Sequence, residues 1–303
     1  MMAAMQYPER VRRGFSRAAA TYDLHATLQR EVLEETAALL LPLLVSEARI
    51  LDAGCGTGYL AKRLKHPHCL IPPPEGGRSG GGDSLEGEVF KISFPQDTCS
   101  LGNHTPPFRK EKRNFTILQL DSAEGMCRTA APFAVSICAD MAALPLRDRS
   151  FEAVFSSLAL QWMERPGDAF REFLRVTKPG GCAAIATLGP ATLSELRDCF
   201  AQFGLLPSVM RFAPQAELIE AATASGWEVN TITSALKRQP YPSFTHLLHQ
   251  LKGLGATFKE RPHSLTPGRL KELQSLYERT YRSGESITAT FEVITLLLRK
   301  PHE

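Results

Sequence analysis

Along most of the chain, short apolar runs alternate with stretches whose apolar positions recur every three or four residues. Ile50 and Leu51 end the first run, which reads as a buried strand. Four more follow: F-T-I-L-Q-L-D ending at Asp121, A-V-S-I-C-A-D ending at Asp140, F-E-A-V-F-S-S-L from Phe151, and C-A-A-I-A-T-L from Cys182. Between them the helical period covers residues 60–64, 122–131 and 167–176, with Lys178, Pro179, Gly180 and Gly181 marking the turn into the fifth strand. Strands alternating with helices predict an α/β fold with a doubly wound, mostly parallel sheet. Ahead of it, Leu28, Val32, Leu33, Ala37 and Leu40 form an amphipathic helix. Beyond it, residues 192–203, 214–225, 243–253 and 266–281 read as helices, and 227–236 and 288–299 as strands six and seven. These last two strands are expected to pair antiparallel at one edge.

One stretch breaks the alternation. Residues 66–113 contain P-P-P-E-G-G-R-S-G-G-G-D and R-K-E-K-R with little periodic apolar pattern. They read as a loop insertion, disordered in large part, with a short hairpin near residues 88–94. The insertion joins a helix back to a strand, so it is expected to emerge at the rim opposite the carboxyl ends of the strands, where ligands gather in such sheets. The expected organisation is a helical lid or substrate segment over residues 1–45 and a main domain over 46–303, with 66–113 inserted and 190–285 adding helices on the substrate side.

Composition narrows the class. Of 303 residues, 43% are apolar, ample for a core, and the net charge of +3 is too small to suggest a nucleic-acid partner. Seven scattered cysteines without any C-x-x-C pair point to reduced thiols rather than a disulfide framework or a metal site. The first thirteen residues lack a signal-peptide core, and the longest apolar run, near residues 37–45, is broken by Pro42 and too short for a bilayer. A cytoplasmic protein without membrane contact is expected.

The chemistry concentrates in A-R-I-L-D-A-G-C-G-T-G-Y-L, residues 48–60. Asp52 ends the strand, and Gly54, Gly56 and Gly58 crowd the turn before the helix. Glycines permit a sharp turn and let a ligand lie against bare backbone, beside amides at the helix start. Asp121 and the Asp140-Met141 pair stand at the next two strand ends, where one carboxylate accepts from ribose hydroxyls and the other from an adenine amine. Taken singly each acid is as readily a helix cap; three at successive strand ends make the cofactor reading stronger.

The G-x-G-x-G spacing after an acid resembles motif I of class I S-adenosylmethionine (SAM) methyltransferases. That resemblance implies a class I, Rossmann-like seven-stranded sheet with an antiparallel edge strand, and SAM as cofactor. It implies Asp52, Gly54, Gly56, Gly58, Asp121, Ser122, Asp140, Met141 and Leu158 as cofactor-binding residues. R-A-A-A-T-Y-D-L-H-A-T-L-Q (residues 17–29), L-A-L-Q-W (158–162), Arg211-Phe212 and L-K-G-L-G-A-T (251–257) resemble the malonyl-acyl carrier protein O-methyltransferases of biotin synthesis, the BioC family. Residues 66–113 depart from that family's compact pattern. The resemblance implies methyl transfer to the free carboxylate of malonyl-acyl carrier protein, an acidic partner. A carboxylate is ionised at neutral pH, so the acceptor needs no general base.

An anion must nevertheless be held. Arg211 is the first candidate, Lys252 the second, and Tyr22 bonds the malonyl group or closes over SAM; His25 is a weaker choice. The plain alternatives are two surface cations and an amphipathic core tyrosine. Arg10, Arg12, Arg13 and Arg17 either steer the carrier protein or form a solvated face. Three rival functions remain open. One is the mitochondrial arginine hydroxylase of complex I assembly, which shares a T-L-x-E-L-R-like segment at residues 192–197. The others are a methyltransferase for another small acid, protein or RNA, and a non-catalytic SAM-fold scaffold.

Overall fold

The computed structural model describes residues 7–65, 89–90, 114–204, 210–254 and 266–302. The expected strands form β1 (Arg49–Ala53), β3 (Thr116–Asp121), β4 (Val135–Cys138), β5 (Phe151–Ser157), β6 (Thr177–Leu188), β7 (Glu228–Tyr241) and β9 (Ser286–Arg299). Two short strands, β2 (Val89–Phe90) and β8 (Arg282–Ser283), are added. The sheet order is β2-β7-β9-β6-β5-β1-β3-β4, with β8 on β9. β4, β3, β1, β5 and β6 run parallel, so all five carboxyl ends meet at one rim. β9 is antiparallel to both β6 and β7. The antiparallel pair therefore stands towards one edge, with the reversed strand β9 between β6 and β7 and only the two-residue β2 outside it.

β1 is buried from Ile50 to Ala53 and β5 almost throughout. Both faces of a parallel sheet are covered by crossover helices, so its strands are continuous apolar runs rather than alternating ones. On one face α6 (Pro166–Val176) and α8 (Gln215–Ala224) set Phe170, Phe173 and Leu218, with Trp227 just after α8, against Leu51, Val154 and Ile185. On the other, α3 (Thr27–Leu40) and α4 (Tyr59–Lys65) bring Leu40 and Leu60 onto Ile50, Phe155 and Ala184. Each such buried aromatic or leucine contributes about 2 kcal/mol.

β7 and β9 continue past the carboxyl rim to the Tyr241–Ile287 pair. The extension carries a second core formed with α7 (Ser194–Gln202), α9 (Phe244–Gly253) and α10 (Pro267–Thr280), in which Phe244 and Tyr277 are fully buried. The Lys178–Gly181 turn is absorbed into β6 as a wide irregularity, since the register passes from Phe151–Thr177 directly to Ala153–Cys182. Gly180 makes the bend possible with φ +71°, its amide held by Lys300 O.

The insertion leaves α4 at Lys65 and returns at Asn114, whose carbonyl accepts from Glu47 N just before β1. The returning end thus lies at the amino rim, where the topology predicts. Within it, Val89 and Phe90 add to the far edge of the sheet, antiparallel to Thr233 and Ile232; the remainder of the expected hairpin and the expected disorder fall outside the described residues. Among the described residues no helix is long and apolar enough to cross a membrane, and Cys55, Cys127, Cys138, Cys182 and Cys199 form no disulfide.

Candidate active site

The glycine turn is tied to the neighbouring strand: Gly54 N and Cys55 N both donate to Leu120 O, at 2.7 and 2.9 Å. Gly54 (φ +80°) and Gly58 (φ +82°) lie in the left-handed region, which glycine enters without strain. A Cβ on Gly54 would overlap the Ala159 methyl, and one on Gly58 would sit 2.6 Å from Gln119 Nε2. Gly56 differs. It too has positive φ, but nothing lies within 4 Å of where its Cβ would be. The turn is packed at both ends and open in the middle.

The three strand-end acids surround that opening, each held differently. Asp121 Oδ2 accepts from Gly56 N at 3.0 Å and Oδ1 from Ala123 N at 2.8 Å. A carboxylate oxygen has two lone pairs, so each oxygen keeps one for a ligand hydroxyl. Burial raises the Asp121 pKa, and its backbone N–H partners oppose that rise. Asp140 Oδ1 accepts from Ala142 N at 2.9 Å, and its Oδ2 pairs with Arg12 Nη2 at 2.5 Å. Met141 reaches the same opening, its methyl end 3.5 Å from the Gly54 Cβ position.

Asp52 is the anomaly. It is 2% exposed, and its Oδ2 has no hydrogen-bond partner among the described residues. Burial, reinforced by the Asp121 charge, pushes its carboxyl up to about 8. A buried acceptor left unpaired costs about 1–3 kcal/mol. Such an atom under an open glycine turn suits a ligand bearing an ammonium group. Cys55, in the same turn, is held well above the ordinary thiol range by burial and donates weakly to Gly56 O, so it is a small filler and not a nucleophile.

The wall past β5 is strained. Leu158 sits at φ +50°, rare for a branched residue. Its amide donates to Ala186 O at 2.8 Å, and its carbonyl accepts from Gln161 Nε2 at 2.7 Å. Gln161 Oε1 in turn accepts from Thr187 Oγ1 at 3.3 Å. Gln161 thus ties the kink to β6. Ser122 lies beside Asp121, partly buried, its carbonyl facing Cys138 Sγ.

The N-terminal segment closes over these tips. α1 (Tyr7–Ala18) and α2 (Tyr22–His25) make a contact at each: Arg12 with Asp140, Ser16 Oγ accepting from Gly125 N (3.2 Å) at the start of α5 (Glu124–Ala130), and Thr57 Oγ1 donating to Asp23 Oδ1 (2.7 Å). Phe15 packs edge-on to Trp162 at 5.2 Å, and Tyr22 joins Phe15 over Ala123 and Met126. Burial and the nearby Asp121 raise the Tyr22 phenol, so it stays protonated. These neighbours put Tyr22 near Asp121 at the tip of β3. His25 lies against Gly253, where a Cβ would come within 2.6 Å of its ring, and Gln250 Nε2 donates to His25 O at 3.0 Å. That contact is a physical reason for glycine at position 253.

Arg211 stands elsewhere, at a cavity of roughly 220 Å³ that it lines with Gln161, Glu164, Thr187, Met210 and Glu217. Its guanidinium is 74% exposed and paired to Glu217 at 2.7 Å. Lys252 is exposed on α9 and is not among that cavity's lining residues; the two expected anion-binding cations are not brought together. The basic residues of α1 do not all sit alike. Arg12 turns inward to Asp140, Arg13 pairs with Glu9, and Arg17 bonds Arg13 O. The T-L-S-E-L-R segment has a structural explanation: Glu195 is buried against the Thr290 amide and hydroxyl, and Arg197 caps the Pro190 and Thr192 carbonyls. Ser16, Asp23, Thr57 and Gln161 were not singled out from sequence, and Arg12 was singled out only for steering the carrier protein, not for a contact with Asp140. The i, i+3, i+4 spacing of Arg12, Phe15 and Ser16 was the available signal for Arg12 and Ser16.

A family profile described as "Methyltransferase domain" matches residues 98–185. The malonyl-[acyl-carrier protein] O-methyltransferase of Halorhodospira halophila is 31% identical over 288 residues, covering 94% of this chain and 85% of its own. The protein of the same name from Methylococcus capsulatus is 32% identical, covering 94% and 91%. Among solved structures, the YcgJ protein from Bacillus subtilis superposes with a TM-score of 0.52 at 14% identity, over 89% of this chain and 99% of that one, a likeness of fold. Similarity to named relatives over nearly the whole length places the chain in the malonyl-[acyl-carrier protein] O-methyltransferase family.

Proposed function

We propose that this protein transfers the methyl group of SAM to the free carboxylate of malonyl-acyl carrier protein, giving the methyl ester used in an early step of biotin synthesis. The observation that carries the cofactor half is Asp52: a buried, unpartnered carboxylate oxygen beneath an open glycine turn, matched to a cationic amino-acid group. Asp121 is assigned to the ribose hydroxyls, with Ser122 beside it. Asp140 and Met141 are assigned to the adenine, and the Leu158 wall to the methionine side. When bound, SAM supplies a methyl group activated by its sulfonium charge.

The acceptor oxygen arrives ionised, so what the protein must provide is alignment and exclusion of water. The N-terminal helices suit both needs. Held at all three strand tips, they cover the cofactor side and leave the α9–α10 side for an acyl chain. Tyr22, kept protonated, donates to the ligand and is not a base. Arg211 is the candidate for the malonyl carboxylate because a guanidinium binds a carboxylate through two parallel hydrogen bonds. Its Glu217 partner must then be displaced. Lys252, solvent-exposed at the end of α9, is the second candidate, better placed for the carrier protein than for the reacting group.

Incubation with SAM and malonyl-acyl carrier protein, followed by intact-mass analysis of the carrier, is expected to show a gain of one methyl group. Arg211→Ala is expected to reduce that gain strongly while leaving SAM affinity unchanged. No gain on the malonyl carrier, with methyl transfer to another acid instead, would overturn the substrate assignment and leave the cofactor site intact.

A further inference from the structure

Arg12 differs from Arg13 and Arg17 on α1. Arg13 and Arg17 face solvent, whereas Arg12, Phe15 and Ser16 share one helical face that meets the site through Asp140, Trp162 and Gly125 respectively. The approach is close: a Cβ on Gly125 would overlap the Ser16 backbone carbonyl. The helix is therefore seated in a fixed register, and Arg12 reaches Asp140 across 128 residues of sequence because of that seating.

The ion pair adds little as a stabiliser of the fold. Both side chains are 41% exposed, and exposed pairs contribute about 0.2–1 kcal/mol. What it does is fix a rotamer. With Oδ1 held by Ala142 N and Oδ2 by Arg12, the Asp140 carboxylate cannot rotate, and one lone pair on each oxygen has a set direction. We propose that Arg12 is a positioning residue of the cofactor site: seated by α1, it orients the Asp140 carboxylate for the adenine amino group. This rests on the assignment of Asp140 to adenine given above.

The test is equilibrium binding, with no methyl transfer involved. Calorimetry would compare S-adenosylhomocysteine with its deaminated analogue, in which a carbonyl replaces the 6-amino group. The parent protein is expected to prefer the amino form. Arg12→Ala is expected to weaken the amino form about tenfold, as for loss of a charge-assisted hydrogen bond, and the analogue about threefold or less. The preference itself therefore shrinks. Arg12→Lys keeps the charge without the planar fork and is expected to recover part of it.

Equal weakening of both ligands would reduce Arg12 to a structural prop and overturn the proposal, as would unchanged binding of the amino form. Asp140→Asn separates the two layers. If it leaves the preference intact, the adenine assignment is wrong; if it abolishes the preference while Arg12→Ala does not, only the role of Arg12 fails.

Discussion

Replacing Asp52 with asparagine is expected to make the protein more stable and less able to bind its cofactor. The Asp52 pKa is raised from 3.8 to about 8 by burial, with Asp121 adding to the effect. In the unfolded chain the carboxyl ionises near its ordinary value; in the folded protein at pH 7 about nine in ten copies keep the proton. The folded state thus binds more protons than the unfolded state between these values. The contribution to stability is full below pH 3.8 and is lost as pH rises towards and through 8. Each pH unit across that window corresponds to about 1.4 kcal/mol.

Asparagine has no such dependence. Allowing for its own unpaired amide, Asp52→Asn is expected to gain about 2–4 kcal/mol at pH 7, or roughly 5–10 °C in melting temperature. The gain grows from pH 5 to pH 8. Scanning calorimetry of both proteins at pH 5, 7 and 8 measures it directly. Binding gives the complementary readout. A cationic ligand selects the ionised carboxylate, so the parent is expected to release about 0.9 proton more than the variant on binding SAM at pH 7. This is seen as a dependence of the heat on buffer ionisation enthalpy, and parent affinity should tighten as pH rises towards 8. A variant that melts at or below the parent at pH 7, or equal proton release by the two, would refute the reasoning.

Other consequences are independent of that one. Gly54→Ala places a methyl onto Ala159 at φ +80° and is expected to cost roughly 2–4 kcal/mol and to abolish SAM binding, whereas Gly56→Ala, with open space around it, should cost only about 1 kcal/mol of backbone strain; thermal melts would separate the two. Glu217→Gln frees the Arg211 guanidinium and is expected to lower KM for malonyl-acyl carrier protein with SAM affinity unchanged, and a raised KM would dismiss Arg211 as the carboxylate anchor. Replacing residues 70–110 with a short linker is expected to preserve methyl transfer, because the returning end of the insertion lies at the amino rim. A folded but inactive product would show that the segment reaches the site.

The chain by itself determined the alternation of strands and helices, the seven principal strands, the glycine turn and the acids that follow three of them. Each of these is written locally, in apolar period, in glycine spacing and in the residue that ends a run. It also determined that Asp52, Asp121 and Asp140 would gather, since parallel strands joined by crossovers bring their carboxyl ends to one rim. Tertiary structure alone decided what each acid does there. Asp121 is taken up by the Gly56 and Ala123 amides, Asp140 by Arg12, and Asp52 by no described residue, a distinction that depends on burial and on partners 65 and 128 residues away. The fate of the arginines was equally out of reach. Four basic residues on a short helix read alike until packing against Gly125 and Trp162 fixes which one faces inward, and Arg211 reads as an open anion site until Glu217 is found beside it. Periodicity and turn chemistry are properties of neighbours in sequence; the charge state of a carboxylate is set by whatever the fold brings against it.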